Sequence, residues 1–337
     1  MSKQSIRFII NPISGGVSKK AIVQAIRDEI DPLRYDIEIW NTAYAGHGAV
    51  LATMAAENGI DTVVAVGGDG TVNEVARSLL HTSTRLGIVP CGSGNGLARH
   101  LQIPLEPRKA LSIINEGHSV CIDYGLLDNR PFFCTCGLGF DAEVSYKFSF
   151  SKKRGMLSYL ESIVAELSKY KPQAYTITDE SGKRTYEAFI ITLANASQYG
   201  NNAYIAPYAS LADGLMDVTV IEPFPAVDAP ALALALFTGK FRNGSKHIRM
   251  FRSNSIRIQR EKAGVVHCDG DPMKAGAEIH ARIVHAGLNV ITDSDAEAQI
   301  EPLYKTVGQG VASFVQQPAA QFRQASQVIM ELFKIKK

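Results

Sequence analysis

The chain lacks the G-x-x-x-x-G-K-[ST] signature, so no P-loop lysine is available to a nucleotide phosphate. Protein-kinase signatures are absent too. Neither sign of charge is in excess: a net charge of +2 gives no reason to expect nucleic acid as a partner. The five cysteines, at 91, 121, 134, 136 and 268, have no zinc-ligand spacing and read as reduced thiols of a cytoplasmic protein. No apolar run reaches the roughly 20 residues that cross a bilayer; the longest is Ala229 to Phe237. Lys3 and Arg7 flank a short strand, not the apolar segment of a secretion signal. The expectation is a cytoplasmic protein whose membrane contact, if it has one, is peripheral. A length of 337 residues suits two domains.

What the chain has is glycine at the ends of strands. Ile6 to Ile10 reads as a buried strand running into Asn11-Pro12-Ile13-Ser14-Gly15-Gly16. Ser18 is placed to cap a helix running to about Glu29, with apolar positions at Ile22, Ala25, Ile26 and Ile30. Tyr35 to Trp40 alternates as a strand, and His47 to Glu57 has a helical pattern. Thr62 to Val66 is an apolar strand that breaks into Gly67-Gly68-Asp69-Gly70-Thr71-Val72-Asn73-Glu74, with a helix over Thr71 to Leu80. Leu86 to Val89 is a further strand, followed by Cys91-Gly92-Ser93-Gly94-Asn95-Gly96. Alternating strands and helices predict a parallel sheet, which binds ligands beyond its carboxyl ends. The three glycine-rich loops all fall there.

Glycine lets backbone N–H groups turn toward an anion, and a helix N-terminus favours negative charge. Asp69 is placed to hold magnesium or to take a proton. Ser93 can bond a phosphate oxygen, and Asn95 can cap a helix or hold a substrate group. With no P-loop lysine, phosphate charge is left to backbone N–H groups and a metal. Arg99 reads more readily as a solvated helix residue than as a phosphate ligand.

From about Cys121 the pattern turns to strands joined by turns. These are Tyr124 to Leu127, Pro131 to Cys136, Gln173 to Asp179, Arg184 to Ala194, Met216 to Ile221, Ser255 to Gln259 and Ile279 to Val284. Helices are expected over Leu157 to Ser168 and Ala229 to Leu236. The reading is a mostly antiparallel second domain. Asp213-Gly214 with Asp217, and Asp269-Gly270-Asp271, put acids around glycine turns; each reads as a plain turn or as a site for a hard cation or a hydroxyl. Gly137-Leu138-Gly139-Phe140-Asp141-Ala142 fits G-x-G-x-x-A, but no βαβ unit follows, so a nicotinamide site is not expected. The tail from Val311 has three-and-four apolar spacing and a basic end, which suits an amphipathic helix.

Together these segments resemble the diacylglycerol kinase catalytic superfamily, which includes bacterial lipid kinases and sphingosine kinases. The matching pieces are Asn11-Pro12 with Ser14-Gly15, Gly67 to Glu74, Gly92 to Asn95 with Ala98-Arg99, Gly139 to Ala142, Asp213-Gly214 with Asp217, and Asp269 to Asp271. The resemblance implies an N-terminal α/β domain with a phosphofructokinase- or NAD kinase-like parallel sheet over 1–122. It implies a β-sandwich lipid domain over 123–290, then a return segment and tail over 291–337. It implies ATP and Mg2+ as cofactors. ATP would be bound by Asn11, Pro12, Ser14, Gly15, Thr42, Gly67, Gly68, Asp69, Gly70, Thr71 and Asn73, with Gly92, Ser93, Gly94 and Asn95. Asp213, with the carbonyls of Ser210 and Leu215, resembles the family's magnesium site, and Asp141 the contact to a lipid head group. Where bacterial members carry glutamate as the presumed base, this chain has Asp271, one methylene shorter, so either Asp271 or Asp69 takes the proton. The implied reaction is phosphorylation of a lipid hydroxyl, on diacylglycerol or a sphingoid-type lipid, at a peripheral membrane surface. A homodimer stays open. A NAD kinase-like enzyme with a soluble acceptor, and a non-catalytic lipid-binding protein, are the rival readings.

Overall fold

Strands with apolar side chains on both faces need cover on both sides, and crossover helices supply it. In the computed structural model, which describes residues 3–15, 18–150, 166–167 and 169–293, four such strands open the chain. They are β1 (Gln4–Ile10), β2 (Tyr35–Asn41), β3 (Thr62–Gly67) and β4 (Arg85–Pro90), parallel and in the order β2-β1-β3-β4. All of β3 is buried. Helices α1 (Lys19–Glu29), α2 (His47–Glu57) and α3 (Asp69–Ser78) make the crossovers. Ser18 holds the N-cap position of α1, but its side chain makes no capping hydrogen bond. A short α4 (Gly96–His100) follows the third glycine loop. The sequence reading missed α5 (Pro107–Glu116), although Pro107 starts it and Gly117, at φ 75°, ends it as helix rules would have it.

The second lobe is an antiparallel sandwich. One leaf has the order β12-β11-β10-β7-β14-β15. Its strands are β7 (Thr135–Gly139), β10 (Ile190–Ala194), β11 (Met216–Ile221), β12 (Ile248–Ser253), β14 (Gly264–Cys268) and β15 (Asp271–Ala275). The other leaf contains β5 (Ser119–Leu127), β6 (Arg130–Phe132), β8 (Gln173–Asp179), β9 (Gly182–Ala188), β13 (Ser255–Arg260) and β16 (Glu278–Ile291). Alternate residues of both leaves, among them Phe132, Leu138, Tyr175, Leu193, Val218 and Ile258, meet in one buried core. Two helices, α6 (Phe140–Ser149) and α7 (Ala229–Thr238), lie against the lobe. The long β16 pairs antiparallel with β5 and reaches β4 in parallel, Val290 opposite Leu86. It therefore joins the parallel sheet to one leaf of the sandwich as a ten-stranded sheet.

Two expected strands divide. Pro131 to Cys136 becomes β6 and β7, and Arg184 to Ala194 becomes β9 and β10, each half in a different leaf. The apolar pattern runs on through both breaks, so only long-range hydrogen bonds reveal them. At the first, Phe133, Cys134 and Thr135 donate their N–H groups to the Asp269 carboxylate at 2.8, 2.8 and 3.0 Å. At the second, the Phe189 N–H donates to the Ile221 carbonyl at 2.7 Å. Strand β12 also escaped the sequence reading. The expected tail helix lies outside the described residues, as does most of the expected Leu157 to Ser168 helix.

Replacing Asp269 with Ala removes the acceptor of three backbone donors at once. At about 1–3 kcal/mol for a buried donor left unmet, Asp269→Ala should lower the melting temperature by roughly 5–10 °C. A thermal melt within 1–2 °C of wild type would contradict this role.

Candidate active site

The carboxyl ends of the four parallel strands lie side by side, and the three glycine loops leave from them. The Thr42 N–H, just past β2, donates to the Ile10 carbonyl at 2.9 Å. Asn11, just past β1, donates through Nδ2 to Thr71 Oγ1 at 3.0 Å, which ties the first loop to α3. Pro12 and Gly15 are exposed and Ser14 is half-buried; a Cβ on Gly15 would collide with the Cys91 carbonyl. The Cys91 N–H donates to the Gly67 carbonyl at 2.7 Å, and a Cβ on Gly92 would lie 2.6 Å from the Gly68 Cα. Asp69 is the first residue of α3; its Oδ2 accepts the Asn95 N–H at 2.8 Å and its Oδ1 the Gly96 N–H at 2.7 Å. Gly94 must be glycine, since its Cβ would lie 2.6 Å from Asp69 Oδ2. Asn95, at φ 52°, folds its amide back onto the N–H and carbonyl of Gly92 at 3.0 and 2.8 Å, so it shapes the loop and does not reach outward. Gly68 at the N-cap supplies no capping side chain, which leaves the first-turn N–H groups of α3 to an anion.

Two cations stand at these loops, of which the sequence reading weighed Arg99 and passed over Lys19. Lys19 donates to the carbonyl and hydroxyl of Ser14, so an ammonium stands at the first loop beside its N–H groups. The residue after a helix N-cap that follows a glycine loop was the signal. Arg99 is half-buried rather than solvated: its Nε donates to the Gly94 carbonyl at 2.8 Å and its Nη1 to Asn202 Oδ1 at 3.2 Å, joining the third loop to the second lobe.

From these loops a cavity of about 470 Å³ runs into the second lobe. Asp69, Asn73, Ser93 and Gly94 line one end, and Phe140, Phe189, Leu232, Leu236 and Phe237 the other. Asp141, Tyr199 and His267 also line it. Asp141 Oδ2 accepts from the Tyr199 hydroxyl at 3.0 Å and from His267 Nε2 at 3.1 Å, and Oδ1 accepts the Ala142 N–H at 2.8 Å. The Gly270 N–H donates to His267 Nδ1 at 3.3 Å, which puts the imidazole proton on Nε2. Gly137 is small because a Cβ there would strike both Asp141 and His267. The G-x-G-x-x-A run does lead from a strand into a helix, α6, but β7 has only antiparallel neighbours, so it builds this cluster and no βαβ unit. His267 escaped the sequence reading as a site residue, since a lone histidine in a strand carries no motif. Asn73 is buried, and among the described residues its Nδ2 has no partner. Burial raises the Asp69 carboxyl above the ordinary carboxylate range, against the pull of the two N–H donors and Arg99.

Residues 5–127 match the family model described as diacylglycerol kinase catalytic domain, and residues 135–292 match the YegS C-terminal NAD kinase beta sandwich-like domain. A protein of Xanthomonas campestris pv. campestris named "Probable lipid kinase YegS-like" is 33% identical over 81% of this chain and 91% of its own length. The chain belongs to the diacylglycerol kinase family. Bacillus subtilis "Diacylglycerol kinase" is 29% identical over 79% of this chain and 89% of its own. A crystal structure of a diacylglycerol kinase from Bacillus anthracis shares the fold, with a TM-score of 0.69 at 19% identity, covering 88% of this chain and 99% of that one.

Within this family fold, the two acids of the Asp-Gly-Asp turn part company. Asp269, at φ 50°, turns inward as the acceptor of three N–H groups. Asp271 does not line the cavity; its carboxylate, 54% exposed, stands 3.3 Å from Arg130 Nη2 and 3.9 Å from Arg77 Nη2. Asp69, Asn73 and Arg77 recur every four residues on one face of α3, so Arg77 sits about 12 Å along the helix from Asp69. The turn over Ser210, Asp213 and Leu215 is also away from the cavity lining. There Asp213 Oδ1 accepts the Leu215 N–H at 3.0 Å, and its Oδ2 lies 3.6 Å from Arg252. Buried Asp123 accepts the Gly214 and Ala286 N–H groups at 2.7 and 2.8 Å. Burial and the Asp123 charge both raise the Asp213 carboxyl, and burial pushes Asp217 up to about 6. Among the described residues no three His, Cys, Asp or Glu side chains converge as a metal centre.

The third loop is also locked to the second lobe by a histidine. His100, in α4, is buried and accepts the Ser197 N–H at Nδ1, 3.0 Å. Burial pushes its pKa down to about 4 from 6.5. A histidine depressed in the fold contributes stability above its unfolded pKa and loses it as pH falls. Between pH 6.5 and 4 the wild type should therefore lose up to about 3 kcal/mol that His100→Leu does not lose. Denaturant titrations of both across that window measure the difference; parallel curves would contradict it.

Proposed function

We propose that this chain is an ATP- and Mg2+-dependent lipid kinase that transfers the γ-phosphoryl group to a lipid hydroxyl at a membrane surface. The observation that carries the reading is the single cavity with glycine loops at one end and a wall of Phe and Leu at the other. A soluble acceptor has no use for that apolar wall, whereas an acyl chain does. In this reading residues 1–122 hold the nucleotide and 123–290 hold the lipid.

Phosphoryl transfer asks for in-line placement and neutralised charge. The loops at Asn11 to Gly15, Gly67 to Asn73 and Gly92 to Asn95, with Thr42 beside them, would cradle the phosphates through backbone N–H groups. Lys19 adds positive charge at the first loop. Ser93, exposed at the cavity mouth, would hydrogen-bond a phosphate oxygen. Asp141, held by Tyr199 and His267, would bind the polar head of the lipid and set its hydroxyl toward Asp69. As the bond from the lipid oxygen to phosphorus forms, the bridging bond to the γ-phosphorus breaks. ADP leaves with that electron pair, and Asp69 accepts the hydroxyl proton. Burial raises Asp69, the direction a general base needs. Asp271, paired with Arg130 and Arg77, fits the positioning of those guanidiniums better than proton transfer.

The Asp213 turn fits a hard cation by donor type, a carboxylate with the Ser210 and Leu215 carbonyls beside the buried charge of Asp123. Mg2+ bound with the nucleotide would supply charge neutralisation on the transferring group.

A radiolabelled-ATP transfer assay on a panel of lipids in mixed micelles tests the reading. Asp69→Asn keeps one acceptor but turns its NH2 toward the other loop N–H, so it should stay folded and melt a few degrees lower while turnover falls about 10²-fold or more. Asp271→Asn should lower turnover far less. Full activity in Asp69→Asn overturns Asp69 as base; transfer to soluble acceptors alone overturns the lipid substrate.

A further inference from the structure

Helix α7 has a composition that a water-exposed helix does not keep. From Ala229 to Phe237 every residue is apolar, yet only Ala229 is buried. One side of the helix, through Leu232, Leu236 and Phe237, is wall of the cavity. Its other side is turned to solvent: Pro230, Ala231 and Leu234 are exposed, Leu234 by 58%, and Val227 just before the helix by 82%. A run of this kind normally lies in a core or in lipid. At ten residues it is too short to cross a bilayer.

Charge follows the same segment. After Asp228 the chain has no Asp or Glu until Glu261, while Lys240, Arg242, Lys246, Arg249, Arg252, Arg257 and Arg260 lie between. Several of these are used internally: Lys246 pairs with Asp228, Arg249 with Glu222, Arg252 with Asp213 and Asp217. Lys240 and Arg242, exposed just past the helix, have no carboxylate partner among the described residues. An apolar face bordered by unpaired cations matches an anionic bilayer surface, with acyl chains below and phosphates above.

We propose that α7 is the face by which the protein sits on an anionic membrane, with Val227 and Leu234 entering the acyl region and Lys240 and Arg242 meeting headgroup phosphates. Because the opposite side of the same helix walls the cavity, docking there places the slot against the lipid that fills it. The inference rests on the lipid-kinase reading for its purpose, but it concerns a different set of residues.

Vesicle flotation of the full chain without ATP tests it, using phosphatidylcholine vesicles with and without phosphatidylglycerol. Wild type should float with the anionic vesicles. Val227→Glu with Leu234→Glu should reduce the bound fraction at least tenfold, and Lys240→Glu with Arg242→Glu should abolish the preference for phosphatidylglycerol. Both double variants alter exposed side chains outside the cavity lining, so melting temperature and transfer to micelle-dispersed lipid should stay near wild type. Unchanged flotation of the Val227→Glu, Leu234→Glu variant overturns the docking face while leaving the kinase reading intact. Normal flotation with no transfer to any lipid overturns the kinase reading and not the face.

Discussion

One carboxylate holds the candidate site together. Asp69 is donated to by the backbone of Asn95 and Gly96, at the tip of a different loop and the start of a different helix. This closes the second and third glycine loops against each other at backbone distance, which is why Gly92 and Gly94 tolerate no Cβ and Gly68 has little room for one. A side chain at any of them would force the loops apart and spread the N–H groups that an anion needs close together. The same carboxylate sits at the N-terminus of α3, where its charge is favoured, and at the cavity, where burial raises it. Structure and proposed chemistry thus draw on one group, and a variant there must separate the two.

The second lobe supplies what glycine loops cannot. Its sandwich core is conventional, but α6 and α7 cover an apolar slot that opens onto the loops. Where slot and loops meet, a buried carboxylate, Asp141, is satisfied by a hydroxyl, an imidazole and a backbone N–H. These donors hold the Asp141 side chain in one orientation where slot and loops meet. The lobes are joined at that level by Arg99 to Asn202, His100 to Ser197 and Asn201 to Gly94, and further off by β16 passing from one sheet into the other.

Reading the chain alone reaches the parallel sheet, its helices and the three loops, because apolar periodicity and glycine are local signals. The same reading puts Asp269 and Asp271 on one turn and, through the family resemblance, offers Asp271 as a possible base. They differ by which way a turn at φ 50° sends each side chain, and by the arginines that β6 and α3 bring near. His267 could not be singled out, since its partner Asp141 is 126 positions away in the chain. The division of two expected strands between leaves was equally hidden, as buried residues run on consecutively through each break.

The sequence by itself determined where backbone N–H groups can crowd together, since only glycine at fixed spacings permits it, and it determined that Ala229 to Phe237 must avoid water on at least one side. The tertiary structure alone decided which acid faces the cavity, which loops interlock and which side of α7 is left uncovered. Each of those turns on contacts between residues far apart in the chain, and the strength of a charge or an apolar face depends on what is packed against it rather than on the residues beside it.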